Sequence, residues 1–404
     1  MGCAASSSEG LASDVQSPVT GVVVDCGSGH ASVLWYESTP EGGAKQIRRS
    51  RLHADADKPF KLAMLLIADA VAAREQLCLG IEAEIAAATG ADQEKPLQHP
   101  SLLFVGATGG LREALLSGTV PVGAVDDLRS ALEGRFSPSL ARVRLVCLTG
   151  EQEALWEACA ARSIWRDGAR MFPGGAAARF GLFSGGGQSM QVQVDEPRSW
   201  PFSTWCDAMD EAQGASADAW RDDAMWCEWE ANLLEQVRRA APATPAELLG
   251  GAFVLTAMNE VACKAAGLSE TPIVAAEAVV VLREALALFR RPEAETGVSA
   301  SAVGGHAEHS ARAAAVAAFL DARRHYKYNV ARVTAMHLCR LAIVLEHLFA
   351  GGAQLFAPDP KGSAAHCEWA LGAFEDEAAR IKAKRLSTVQ PFAAGSGVAG
   401  QFVV

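Results

Sequence analysis

One local pattern occurs twice in this chain, and it restricts the folds open to it more than any other feature. Val19 to Cys26 (VTGVVVDC) is an apolar, β-branched run that ends in a glycine turn, Gly27-Ser28-Gly29, and returns as Ala31 to Tyr36. Much later, Phe180 to Phe183 leads into Ser184-Gly185-Gly186-Gly187-Gln188-Ser189 and returns as Met190 to Val194. Each is a strand, a glycine turn and a strand. A turn of this kind can aim several backbone N–H groups at one point. Two of them facing each other across a cleft can clamp a phosphate chain. A single glycine turn usually only reverses the chain; the recurrence is the informative part.

Around these hairpins the first half reads as mixed α/β. Gln46 to Leu52 makes a third strand, and Lys61 to Ala88 is rich in Ala, Leu, Ile and Glu and helical. Leu102 to Thr108 is a buried strand before a helix from Leu111 to Leu116. Arg144 to Leu148 is a strand before a helix from Glu151 to Arg166. Met171 to Ala178 (MFPGGAAA) is a turn-rich break and the candidate hinge. After the second hairpin, from Asp195 to Arg385, the chain reads as almost wholly helical, with one or two long helices from Ser310 to Ala350. A chain of 404 residues is expected to form two or three domains.

Charge and cysteine usage narrow the function. Lys plus Arg total 36 against 47 Asp plus Glu, a formal net charge of −11, which argues against a nucleic-acid partner. Ten cysteines are scattered with no C-x-x-C pair, so neither a zinc-type site nor a disulfide scaffold is indicated. The apolar windows Lys61 to Gly90 and Leu248 to Leu282 are interrupted by charges and fall short of the ~18 uninterrupted apolar residues of a span. No secretory leader pattern is present. The chain instead begins Met1-Gly2-Cys3-Ala4-Ala5-Ser6, which fits myristoylation of Gly2, with Cys3 placed for a second acyl chain. One chain binds membranes marginally and two bind stably. The expectation is a cytoplasmic protein anchored to the cytosolic face of a membrane.

Five short blocks, in order, carry a resemblance. They are Asp25-Cys26-Gly27-Ser28-Gly29-His30; Gly106-Ala107-Thr108-Gly109-Gly110-Leu111-Arg112; Leu148-Thr149-Gly150-Glu151-Gln152-Glu153-Ala154; Gly186-Gly187-Gln188-Ser189-Met190-Gln191; and Trp369-Ala370-Leu371-Gly372-Ala373. Together they resemble the apyrase and nucleoside triphosphate diphosphohydrolase family, within the actin, sugar-kinase and heat-shock-chaperone superfamily. The related exopolyphosphatases share the first four. The resemblance implies two ribonuclease-H-like (actin-like) α/β lobes around a central cleft, the second enlarged with helices. Lobe I would span residues 19–170 and lobe II 171–368. Residues 369–385 would form a helix returning to lobe I, between a disordered, acylated leader (1–18) and a tail (386–404).

The resemblance also implies roles. Glu153 matches the general base that activates the attacking water, and Ser189 and Gln191 match residues that position it. Ser28, Gly29 and His30 would face Gly186 and Gly187 around the phosphates, with Thr108 turned to the same site. Asp25 matches a carboxylate that holds a divalent cation, Mg²⁺ or Ca²⁺, through water. The substrate would be a nucleoside di- or triphosphate. An exopolyphosphatase-like enzyme is the alternative, or a nucleotide-binding relative without turnover. That last reading follows from departures: Ser184 and His366 stand where the family has Asp, and Gln188 and Met190 replace small residues beside the phosphate site. Of the two acids opening the helix, Glu151 is the better cap, which leaves Glu153 for chemistry, and Arg112 is expected to pair structurally. Trp226, Trp229, Leu233 and Val237 share helical spacing and read as a core face. His306-Ala307-Glu308-His309 is a weak metal spacing, and Arg323 to Lys327 reads as a solvated basic face.

Overall fold

The computed structural model describes residues 17–40, 42–55, 58–90, 93, 95–167, 181–185, 189–193, 197–201, 223–240, 251–257, 273–290, 314, 330–349, 352–356 and 368–389. The first half forms β1 (Thr20–Cys26), β2 (Ala31–Ser38), β3 (Ala44–Asp55) and β4 (Lys58–Pro59). Helices α1 (Leu62–Ala68) and α2 (Ala70–Thr89) follow, then β5 (Leu102–Ala107), α3 (Gly109–Leu116), α4 (Val122–Phe136), β6 (Arg142–Cys147) and α5 (Gly150–Asp167). The second half forms β7 (Gly181–Gly185), β8 (Ser189–Gln193), β9 (Pro197–Pro201), α6 (Asp223–Ala240), β10 (Ala252–Ala257), β11 (Ile273–Val274) and α7 (Ala275–Arg290). It closes with α8 (Val330–Leu348), β12 (Gln354–Phe356) and α9 (Trp369–Val389).

The two sheets repeat one plan. The first runs β4-β3-β2-β1-β5-β6 and the second β11-β12-β10-β7-β8-β9. In each, a three-stranded antiparallel meander is extended by two parallel strands beside its first strand. This is the two-lobed α/β architecture expected from the repeated hairpin.

Period-2 alternation shows why the first sheet is buried on both faces. Val22, Val24, Cys26, Leu103, Val105 and Ala107 belong to one core with residues of α1, α2 and α4. Val23, Leu34, Tyr36, Leu102 and Phe104 belong to another with α5 and α9. The second sheet packs against α6, α7 and α8, and Trp226, Trp229, Leu233 and Val237 are buried there, as their spacing indicates. Helix α9 lies on β1, β2, β3 and β5. Helix α5 packs on α9 and on β7, β8 and β9 of the second sheet, and its Trp156 meets Phe104 of β5 edge to face, so it touches both sheets. Leu182 of β7 joins the α5–α9 core. Buried Glu377 of α9 takes Arg142 and Arg144 of β6, tying the helix to the sheet edge.

Several expectations are corrected. The second half is not almost wholly helical: β9, β10, β11 and β12 complete its sheet. Its strands are short, and Ala252–Ala257 opens an Ala-rich stretch that also suits a helix. The helix expected over Lys61 to Ala88 is broken at Asp69, whose carboxylate accepts from the N–H groups of Val71 and Ala72 and so starts α2. Helix α4 has no counterpart among the elements expected from the sequence. Among the described residues no helix is long and apolar enough to cross a membrane. The hinge at 171–178, the leader with Gly2 and Cys3, residues 306–309 and 323–327, and the tail beyond 389 lie outside the described residues.

Candidate functional site

The parallel strands β1, β5 and β6 end side by side, with Cys26 opposite Ala107 and Ala107 opposite Cys147. The segments that leave these ends therefore share one edge of the sheet, the usual ligand edge of parallel α/β sheets. The first segment is the turn Gly27 to His30, closed by the Gly27 N–H donating to the His30 carbonyl at 3.0 Å. Ser28 and Gly29 are exposed and His30 is half-buried. Burial, then the charges of Arg51 and Arg49, lower the His30 pKa and favour a neutral imidazole. The second segment is Thr108 and the start of α3. Thr108 is the N-cap residue, but its side chain caps no N–H, and it is 9% exposed. A Cβ on Gly110 would stand 3.0 Å from Ser28 Cα, so the glycine lets α3 approach the first turn.

The third segment opens α5. The Gln152 N–H donates to Thr149 Oγ1 at 3.2 Å and the Thr149 N–H to Gln152 Oε1 at 3.1 Å. This is a capping box with Gln152 in the acidic partner's place. The cap expected of Glu151 thus belongs to Gln152, and Glu153 is free of capping. Glu153 is buried, and Arg112 reaches it with Nη1 at 2.9 Å while also donating to the Leu148 carbonyl at 2.6 Å. Burial raises the Glu153 pKa, and Arg112 opposes the rise.

Asp25 stands at the end of β1. Its Oδ1 is buried and accepts no hydrogen bond. Its carboxyl is pushed up to about 8 by burial, then by the charges of Glu368 and Glu153, against Arg49 and a hydrogen bond from Trp369. Glu368 is itself held by Arg49 at 2.7 Å. Trp369 owes its position to Gly106, where a Cβ would fall 2.1 Å from the indole, and Gly372 admits the Trp156 carbonyl at 2.0 Å from such an atom. The fifth block is thus the packing device that brings α9 onto β5 and α5.

From the second lobe, Ser184 and Gln191 face each other across β7 and β8 and are both buried. The Ser184 hydroxyl donates to Glu157 of α5. Ser189 lies in β8, while Gly186, Gly187, Gln188 and His366 lie outside the described residues. Met190, expected beside the phosphate site, is instead fully buried in the core of the second lobe. Cys26 likewise packs in the first-lobe core, where burial pushes its thiol pKa far up.

No protein-family description matches this sequence, and no curated protein sequence matches it. Solved structures do. The type II variant of the Aquifex aeolicus Ppx/GppA phosphatase is similar over 89% of this chain and 99% of its own, with TM-score 0.53 and 11% identity. This chain has the actin-like, two-lobed Ppx/GppA fold. Another structure of the Aquifex aeolicus family member gives TM-score 0.52 and 12% identity over 90% and 99% of the two chains. A nucleoside triphosphate hydrolase from Neospora caninum aligns over 95% and 98% at TM-score 0.48 and 11% identity, too low a score to carry weight. At these identities the likeness to Ppx/GppA proteins fixes the architecture and leaves the reaction to the site.

Within this Ppx/GppA-like frame, Asp25, Thr108 and Glu153 share one sheet edge with the first glycine turn. Sequence reasoning missed Glu157, Glu368 and Arg49. Glu157 had a usable signal: it lies four residues after Glu153, on the same helix face. Glu368 and Arg49 are 319 positions apart and had none.

Proposed function

We propose that this protein hydrolyses the terminal phosphate of nucleoside di- and triphosphates, with Glu153 deprotonating the attacking water. The observation that carries this reading is the state of Glu153. It is a buried carboxylate on the first turn of α5, released from capping by Gln152 and oriented by Arg112, on the sheet edge it shares with the glycine turn that follows β1. Ser28, Gly29 and His30, with Thr108 and with Gly186 and Gly187 from the other lobe, hold the phosphates. Ser189 and Gln191 orient the water. Proton transfer from water to Glu153 creates the nucleophile; its oxygen bonds to the terminal phosphorus while the bond to the bridging oxygen breaks in line, releasing inorganic phosphate and a nucleotide one phosphate shorter.

A divalent cation fits the residues present. Asp25 Oδ1 and Glu368 Oε2 are buried acceptors without a hydrogen bond, and such oxygens call for a cation or its water. Among the described residues no three His, Cys, Asp or Glu side chains converge to chelate an ion directly, which suits an ion held through water and substrate oxygens. Asp25 would anchor that water. Mg²⁺ or Ca²⁺ would supply neutralisation of the phosphate charge. The acylated N-terminus, Gly2 and Cys3, would keep the enzyme at the cytosolic face of a membrane.

Polyphosphate is the second substrate to test, because the Aquifex proteins that share the fold are Ppx/GppA phosphatases. The deciding experiment compares wild type with Glu153→Gln on ATP, ADP, GDP, UDP and polyphosphate, with Mg²⁺ or Ca²⁺, by phosphate release. Loss of the base should lower the rate by about 10²–10⁴-fold. Equal rates would overturn the reading. Nucleotide binding without turnover in wild type would support a relative that has lost catalysis.

A further inference from the structure

Glu157 is a buried carboxylate that the proposed reaction leaves without a task. It follows Glu153 by one helical turn and faces the same way, and only 6% of it is exposed. Its surroundings are acidic: Glu153, Glu368 and Asp25 all act on it, and burial together with these charges raises its pKa well above the ordinary value. Arg112 pairs with Glu153, and Arg49 pairs with Glu368. A buried acid in such a place is costly, and a glutamine would serve any purely packing purpose at lower cost.

What distinguishes Glu157 is its reach. It extends from a helix of the first lobe to Ser184, which is 1% exposed and lies near the end of β7, where the second glycine turn begins. Ser184 has no charge of its own, and its hydroxyl is turned to Glu157. The carboxyl group near the end of β7, able to take up negative charge when a cation binds, is thus presented by the facing helix rather than by the strand. On the other side, Asp25 presents an oxygen without a hydrogen bond.

We propose that Glu157 is a positioning residue for the divalent cation, supplying from α5 the negative charge that Ser184 lacks and ordering the cation's water on the second-lobe side. This rests on the reading of the cleft as a cation–phosphate site, and it adds a residue and a side to that site. The competing role is a latch that only joins α5 to β7.

Calorimetric titration of Mg²⁺ into the full chain, in the presence of a methylene-bridged, non-hydrolysable ATP analogue, separates the two. Glu157→Gln, which keeps the shape, should weaken Mg²⁺ binding by about 10–100-fold. Adding Ser184→Asp to Glu157→Gln should restore most of the affinity, because the charge returns from the opposite wall. A latch would lower the thermal midpoint in chelator and leave Mg²⁺ affinity unchanged. Unchanged affinity in Glu157→Gln, or a double variant no tighter than the single one, would overturn the proposal. Should Glu157→Gln fail to fold, Glu157→Asp, which retracts the charge by one methylene, is read the same way. Absence of Mg²⁺-dependent analogue binding in wild type would overturn both this role and the enzymatic reading. Binding that ignores Glu157 would overturn this role alone.

Discussion

At the scale of the residue, Glu153 combines two opposed influences. Burial favours its neutral form, and Arg112 favours the carboxylate. A general base works only when deprotonated, so phosphate release should fall as the pH drops through the Glu153 pKa, which lies above the ordinary glutamate value. Arg112→Gln removes the opposing charge. The pKa then rises further, and the acid limb of the rate profile should move to higher pH. A pH–rate profile of kcat/KM checks this, and a limb that stays put or moves down would show that Glu153 is not the titrating base. Glu153 was singled out by the resemblance of its block, and the structure places it buried in the first turn of α5. The cap was legible in the Thr149-x-x-Gln152 spacing, but two flanking acids drew the reading toward Glu151. Arg49 and Glu368 were not legible, because only folding brings β3 against the start of α9.

At the scale of the element, the glycines at 106 and 372 decide how closely helices approach strands. A methyl group on Gly106 would overlap the Trp369 indole, which is also wedged against Phe104 at a centroid distance of 6.1 Å. Gly106→Ala should therefore cost at least about 1–3 kcal/mol, as overpacked cores do. In a Trp369→Phe background the added cost of Gly106→Ala should be smaller, since the clashing ring atoms are gone. Urea unfolding of the four chains measures the cycle, and strict additivity would rule out this contact as the cause. The two hairpins were readable because each alternates on both sides of a glycine turn. Strands β11 and β12 were not, having two and three residues, too few to show a period. The break between α1 and α2 was hidden because only Asp69 interrupts an otherwise continuous helical composition.

At the scale of the whole molecule, the repeated sheet order was foreshadowed by the repeated hairpin. The strands that complete the second sheet were not, since they pair only across long loops. The proposed N-terminal membrane anchor also belongs to this scale. Gly2→Ala, which cannot be myristoylated, should move the full chain from the membrane to the soluble fraction on cell fractionation, because a palmitoyl on Cys3 depends on prior membrane contact. Equal partitioning of both forms would remove the anchor from the picture.

Helix α5 lies against strands of both sheets and carries Glu153 at its tip. A rod shared in this way acts as an axle. Turning the second lobe about it sweeps the end of β7 along an arc, while the carboxylate at the rod's tip stays fixed relative to β1 and its turn. On the proposed function, phosphate chains of different length would be gripped by different degrees of rotation without retuning the chemistry, and discrimination between substrates would reside in the torsional stiffness of the molecule rather than in the proposed base.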